Sequence, residues 1–187
     1  MSSNSFLLLN IFIYVVGTGA FCPYIITRKE WEAGPNEAKP MGTYPMTHVI
    51  VHHSNTPICL TKDDCMTVVK SLQLRHRAVN RWPDIGYNFL VAQDGNIYEG
   101  IGWHHSSEIV PRYDSYSIHV AVIGDYTSSL PNDKALKALK DFIYCAVKRG
   151  SLHENYRLLG HRQLASKKCP GKEFYQELRN WPQWSSY

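Results

Sequence analysis

The run Val120-Ala121-Val122-Ile123 is apolar at every position, and side chains along a strand alternate between faces, so a strand built from it must be covered on both sides. That places it at the centre of a sheet with a layer above and a layer below. Its neighbours supply both kinds of element. Thr47–His53 is β-branched and of strand length, and Ser54-Asn55-Thr56-Pro57 after it is turn chemistry. Met66, Val69, Leu72, His76 and Val79 recur at helical spacing behind a cap at Asp63 or Asp64. Asp84–Ala92 and Asn96–Glu99 flank Asp94-Gly95, the strongest hairpin signal in the chain. Leu136, Leu139, Phe142, Ile143, Ala146 and Val147 describe a helix over 133–149 that stops at Gly150, and a last strand, Tyr156–Leu159, precedes a helical run over 172–180. These elements predict a single α/β domain, a central mixed β-sheet flanked by helices.

A chain of 187 residues, 44% hydrophobic, can bury a core of that kind as one domain. Its formal charge of +4 is spread rather than blocked, and no nucleic-acid-binding motif is present, so nucleic acid is not expected as a partner. At the start, the apolar run from Phe6 to Val16 and the small residues Gly17-Thr18-Gly19-Ala20 have the layout of a secretory signal over 1–20, leaving 21–187 as the mature domain. The run is too short to span a bilayer. Because it carries no Lys or Arg, an uncleaved anchor is the alternative reading.

Export changes how the five cysteines read. Cys59 and Cys65 bracket a polar loop short enough for a disulfide to close, and Cys22 could pair with Cys145 to pin the N-terminal end. Other pairings of the four remain open. Cys169 is left over as a free thiol, an intermolecular partner or a metal ligand.

The metal reading draws strength from its surroundings. His161 and Cys169 share a polar loop that ends in Pro170-Gly171, and imidazole and thiolate are common zinc ligands. His52 and His53 close the Thr47–His53 strand, but alternation sends them to opposite faces, and periodicity leaves open which one joins the loop. A His-His-Cys set leaves one tetrahedral position open, as catalytic zinc sites do. No His-Glu-x-x-His helix is present, so that class of metalloprotease is not supported.

Six segments together carry a resemblance: Val49-Ile50-Val51-His52-His53-Ser54, Asp84-Ile85-Gly86-Tyr87-Asn88-Phe89, Ile97-Tyr98-Glu99-Gly100, Ile123-Gly124-Asp125-Tyr126, Leu159-Gly160-His161-Arg162-Gln163 and Cys169-Pro170-Gly171. In register from about Cys22 to Trp184, the chain resembles the animal peptidoglycan recognition proteins, which are similar in fold and zinc site to bacteriophage amidases of lysozyme type. The resemblance implies a secreted, monomeric N-acetylmuramoyl-L-alanine amidase acting on bacterial peptidoglycan and muropeptides in innate immunity, by killing or scavenging. It assigns Zn2+ to His52, His161 and Cys169, catalysis to Tyr87 and Lys167, and substrate contacts to His53, His76, Arg81 and Trp82. Three positions depart from the pattern. Asn80 replaces an arginine, Ile109 a ligand-contacting histidine, and Asp114 an asparagine that touches the peptide stem. Arg81-Trp82 stands where relatives tend to read Gly-Trp or Asn-Phe, and Arg81 is expected to meet the extra carboxylate of a diaminopimelate stem. The alternative function is a receptor that binds peptidoglycan without cutting it. Such members typically lack the ligand cysteine, which this chain retains.

Overall fold

The computed structural model describes residues 22–186; the expected signal over 1–20 lies outside them. The strands are β1 (Ile25–Ile26), β2 (Met46–His53), β3 (Phe89–Val91), β4 (Ile97–Glu99), β5 (Ser117–Val122) and β6 (Leu152–Gly160), and the helices α1 (Lys62–Ala78), α2 (Asp133–Lys148) and α3 (Lys172–Leu178). One mixed sheet runs in the order β1-β4-β3-β5-β2-β6. Only the β3–β4 hairpin is antiparallel, and β3, β5, β2 and β6 all point the same way.

The central strand is where the sequence puts it. Val120 and Val122 on one face of β5 meet Phe142 and Phe174 of α2 and α3, while Ala121 on the other meets the layer containing Val69 and Leu72 of α1. The helices therefore cover both faces, and the apolar run is fully buried. Disulfides join Cys22 to Cys145 and Cys59 to Cys65, fastening the N-terminal end to α2 and the loop before α1 to its first turn. Cys169 is the free cysteine.

Several boundaries differ from expectation for local reasons. The cap of α1 is Thr61, whose Oγ1 accepts the Asp64 N–H, and Asp63 and Asp64 occupy the first turn, where negative charge favours the positive end of the helix. Val79, assigned by spacing to the buried face, is 72% exposed because the helix has ended. The segment 84–88 is not strand: Asp84 turns inward to bind Arg28, Gln73 and its neighbour's N–H. Strand β6 starts at Leu152, with an irregularity against β2 between Met46 and His48 that breaks the simple alternation. Strand β1 is only two residues long, too short for a periodic signal.

Candidate metal centre and substrate cleft

In an α/β sheet, side chains at the carboxyl ends of parallel strands converge on one edge. Here β2 ends in His52-His53, and β6 ends at Gly160, directly before His161. A short 3-10 turn over His161–Gln163 then reverses the chain. Gln163 Oε1 accepts the Gly160 N–H at 2.9 Å and its Nε2 donates to Ser185 O, which fixes the turn. The Arg162 N–H donates to Cys169 O at 2.8 Å and closes the loop. Gly171 then enters α3 with φ 105°, and a Cβ there would collide with the Tyr126 carbonyl, so the close approach requires glycine.

The loop brings His161 and Cys169 up to His52, with ligand atoms from the three residues all within 4.8 Å of one another. Among the described residues this is the one His/Cys/Asp/Glu cluster arranged to hold an ion. Cys169 Sγ lies 3.8 Å from His52 Nδ1 and accepts the backbone N–H of His53 at 3.3 Å. Burial, helped by the neighbouring imidazoles His161 and His119, pushes His52 well below the ordinary histidine range. Burial likewise brings His161 down to about 4, and the Lys167 charge acts the same way. Both rings are thus neutral, as a metal ligand must be. Burial pushes the Cys169 thiol up to about 12, so a nearby cation is what would draw out the thiolate. Two neutral imidazoles and a sulfur at this separation fit a zinc ion.

The trio forms part of the floor of a cleft of about 390 Å³. His53 sits on the opposite face of β2 from His52, yet the strand ends there and its ring still reaches the cleft wall. Its Nδ1 accepts the Tyr126 N–H at 3.1 Å, and His76 Nδ1 accepts the Gly86 N–H at 2.9 Å. With Nδ1 committed as acceptor, each neutral ring carries its proton on Nε2. Trp82 packs edge-on against His76, and Tyr87 lies 5.4 Å from both His76 and His52, ring to ring. Burial raises the Tyr87 phenol far above its usual range, with Cys169 adding to the shift, so it stays protonated at all working pH values. Lys167 lines the cleft from its exposed rim.

Asn80 and Ile109 also line the cleft. Two positions marked by the resemblance lie outside the cleft lining. Arg81 is exposed and absent from the cleft lining, and its backbone is left-handed at φ 60°. Asp114 does not touch the cleft: it is buried, accepts the Val110 N–H and lies 3.1 Å from His119 Nε2. Sequence reasoning missed Arg75, which lines the cleft and donates to Ser54 O at 3.4 Å; no pattern in α1 marks it. It also missed His119. There a signal existed, since a histidine inside an apolar central strand needs a polar partner.

A three-layer mixed sheet with a His-His-Cys cluster at the carboxyl edge of its parallel strands defines an amidase-type scaffold. The N-acetylmuramoyl-L-alanine amidase family matches residues 42–172. Peptidoglycan-recognition protein 1 of Holotrichia diomphalia is 40% identical over 184 residues, which cover 94% of this chain and 92% of that protein. An N-acetylmuramoyl-L-alanine amidase of Mus musculus is 41% identical over 165 residues, covering 86% of this chain but 31% of that protein. A crystal structure of human PGRP-IβC in complex with glycosamyl muramyl pentapeptide superposes with a TM-score of 0.85 at 36% identity, over 88% of this chain and 99% of that one. The chain belongs to the peptidoglycan recognition protein family, built on the N-acetylmuramoyl-L-alanine amidase domain.

Proposed function

We propose that the protein is a secreted zinc amidase that hydrolyses the amide between the lactyl group of peptidoglycan and its peptide stem. The observation that carries this is the His52, His161 and Cys169 cluster opening onto a cleft walled by Tyr87. The two histidines and the cysteine would hold the ion. Bound there, zinc supplies Lewis acidity and a water made nucleophilic near neutral pH.

The remaining chemistry belongs to the chain. As water adds to the amide carbon, the carbonyl oxygen gains negative charge, and a donor aimed at it lowers the barrier. The permanently protonated Tyr87 hydroxyl is such a donor, and the Lys167 ammonium adds positive charge from the rim. His53 and His76 present Nε2–H donors to carbonyls along the ligand, while Trp82 offers an apolar wall. Arg75, Lys167 and Lys168 line the cleft and suit the carboxylates of a peptide stem. Cleavage leaves a carboxylate on the lactyl group and a free amine on the stem. Among the described residues no helix is long and apolar enough to cross a membrane, and both disulfides suit an oxidising compartment.

The test is metal analysis of the purified protein combined with peptide release from insoluble peptidoglycan. One zinc per chain with release supports the enzyme. Binding to peptidoglycan without zinc and without release identifies a sensor and rejects the proposal.

A further inference from the structure

Behind the metal cluster, on the side away from the cleft, a line of buried polar groups runs into the core. His52 pairs in register with Ala121 of β5, and His119, two residues earlier in the same strand, therefore shares its face. His52 Nε2 and His119 Nδ1 are 3.0 Å apart, and the rings stack at 26°. Beyond them, His119 Nε2 lies 3.1 Å from Asp114 Oδ1. The approach is bent, and Nε2 makes no hydrogen bond of normal geometry, so this second contact acts chiefly through charge. The Val110 N–H donates to the same carboxylate oxygen at 2.9 Å and holds it in place. All three side chains are buried, with His119 at 0% exposed.

The proton positions follow from one constraint. His52 Nδ1 is the nitrogen that faces Cys169 Sγ. It must be unprotonated to serve as a ligand, so the His52 proton sits on Nε2 and is donated to His119 Nδ1. His119 then carries its own proton on Nε2, toward the Asp114 carboxylate. Each nitrogen has one role, and reversing any of them breaks a contact in the core. A carboxylate behind a ligating imidazole fixes the ring's tautomer and angle and makes it a stronger donor to the metal. Here one further imidazole is interposed between the two.

We propose that His119 and Asp114 are positioning residues that orient His52 and strengthen its bond to the metal ion. This rests on the zinc reading above, but adds to it a role for two residues that touch neither the ion nor the substrate. It also gives Asp114 a function inside the core, where the resemblance assigned that position to stem contact. In a low-dielectric interior the carboxylate's influence reaches through the intervening ring with little screening.

The experiment measures zinc affinity by chelator competition for the wild-type protein, Asp114→Asn and His119→Gln. Thermal unfolding of the metal-free forms runs alongside as the folding control. Asp114→Asn keeps the shape and an acceptor for Val110 but removes the charge, and it should weaken zinc binding by roughly tenfold; His119→Gln should weaken it by about ten- to a hundredfold. The visible bands of the cobalt(II)-loaded protein should shift in both variants, since the donor strength of one ligand has changed. Variants that lose metal-free stability yet bind zinc within about twofold of wild type, with unchanged cobalt bands, would show a packing role only and overturn the proposal. Imidazole 15N spectra of the zinc-loaded wild type provide a check that needs no variant to fold. His52 and His119 should both be Nε2–H tautomers, and a proton on His119 Nδ1 overturns the relay. A wild-type protein that binds no zinc overturns the amidase reading and this inference together, whereas equal zinc binding by wild type and variants overturns this inference alone.

Discussion

His53 donates its backbone N–H to the sulfur of Cys169 across 3.3 Å, joining the end of β2 to a loop 116 residues further along the chain. The bond favours a charged sulfur, while burial opposes it and prevails, holding the thiol up at about 12. Cys169→Ser should therefore abolish both zinc binding and peptide release, because a serine hydroxyl in the same surroundings keeps its proton and is a poor ligand. Metal content and release, measured on the same preparation, check this. Full release by the serine variant at ambient zinc would show that the ligand set is wrong.

How legible all this was depended on what each residue had to satisfy. The β5 run announced a doubly covered strand because four successive apolar side chains leave no face for water. Asp94-Gly95 announced its hairpin because the turn needs the left-handed backbone that Gly95 adopts, at φ 88°. The cluster of His52, His161 and Cys169 was only half legible. Alternation said that one of His52 and His53 would differ from the other, but the choice rests on where the loop from β6 lands, a long-range packing outcome. The direction of Asp114 was not legible, since an aspartate beside a strand can face solvent as readily as a buried histidine. Arg81 was half legible: the resemblance marks its position, but the left-handed backbone there, at φ 60°, is a demand that local sequence does not announce.

Tyr87→Phe isolates the hydroxyl. The ring stays packed among His52 and His76, so zinc content should not change, while kcat on a soluble muropeptide should fall by roughly a hundred- to a thousandfold. A variant with wild-type kcat would remove Tyr87 from the mechanism.

Asp84 anchors the loop that carries Tyr87. It is 2% exposed and accepts Arg28 Nη2 at 2.8 Å, Gln73 Nε2 at 2.7 Å and the Ile85 N–H at 2.6 Å. Asp84→Ala would leave the largely buried Arg28 guanidinium without its counter-charge, which typically costs about 3–5 kcal/mol. Urea unfolding should register that loss, and catalytic activity should drop with it as the loop loosens. A loss under about 1 kcal/mol would mean that Arg28 finds water instead.

His76 sets a pH limit on the fold. Burial, with the Arg75 charge beside it, brings its pKa down to about 4, below the unfolded value near 6.5. The unfolded chain therefore binds a proton more readily than the folded one. The stabilisation from keeping the ring neutral is complete above pH 6.5 and is lost as pH falls from there toward 4. Its size is roughly 3 kcal/mol. His52, His53 and His161 are shifted in the same direction and steepen the decline. Unfolding free energies at neutral pH and at pH 5 should differ less in His76→Gln than in wild type, and an equal difference would exclude His76 as a contributor.

Arg81 separates conformation from recognition. Its φ of 60° lies in the left-handed region, which glycine and asparagine enter most easily, and these are the residues that the resemblance places before Trp or Phe. An L-residue such as arginine pays about 1–2 kcal/mol there, against which glycine's looser unfolded chain costs about 0.4–1 kcal/mol. Arg81→Gly should therefore leave stability unchanged or raise it by up to about 1.5 kcal/mol, where an exposed residue of ordinary backbone would lose stability on becoming glycine. Arg81→Gln keeps the strain and removes the charge. Because Arg81 is exposed and outside the cleft lining, neither variant should change the ratio of kcat/KM between diaminopimelate and lysine stems. A selective loss on diaminopimelate stems in Arg81→Gln, by about tenfold, would instead mean that the guanidinium reaches the ligand and pairs with its extra carboxylate.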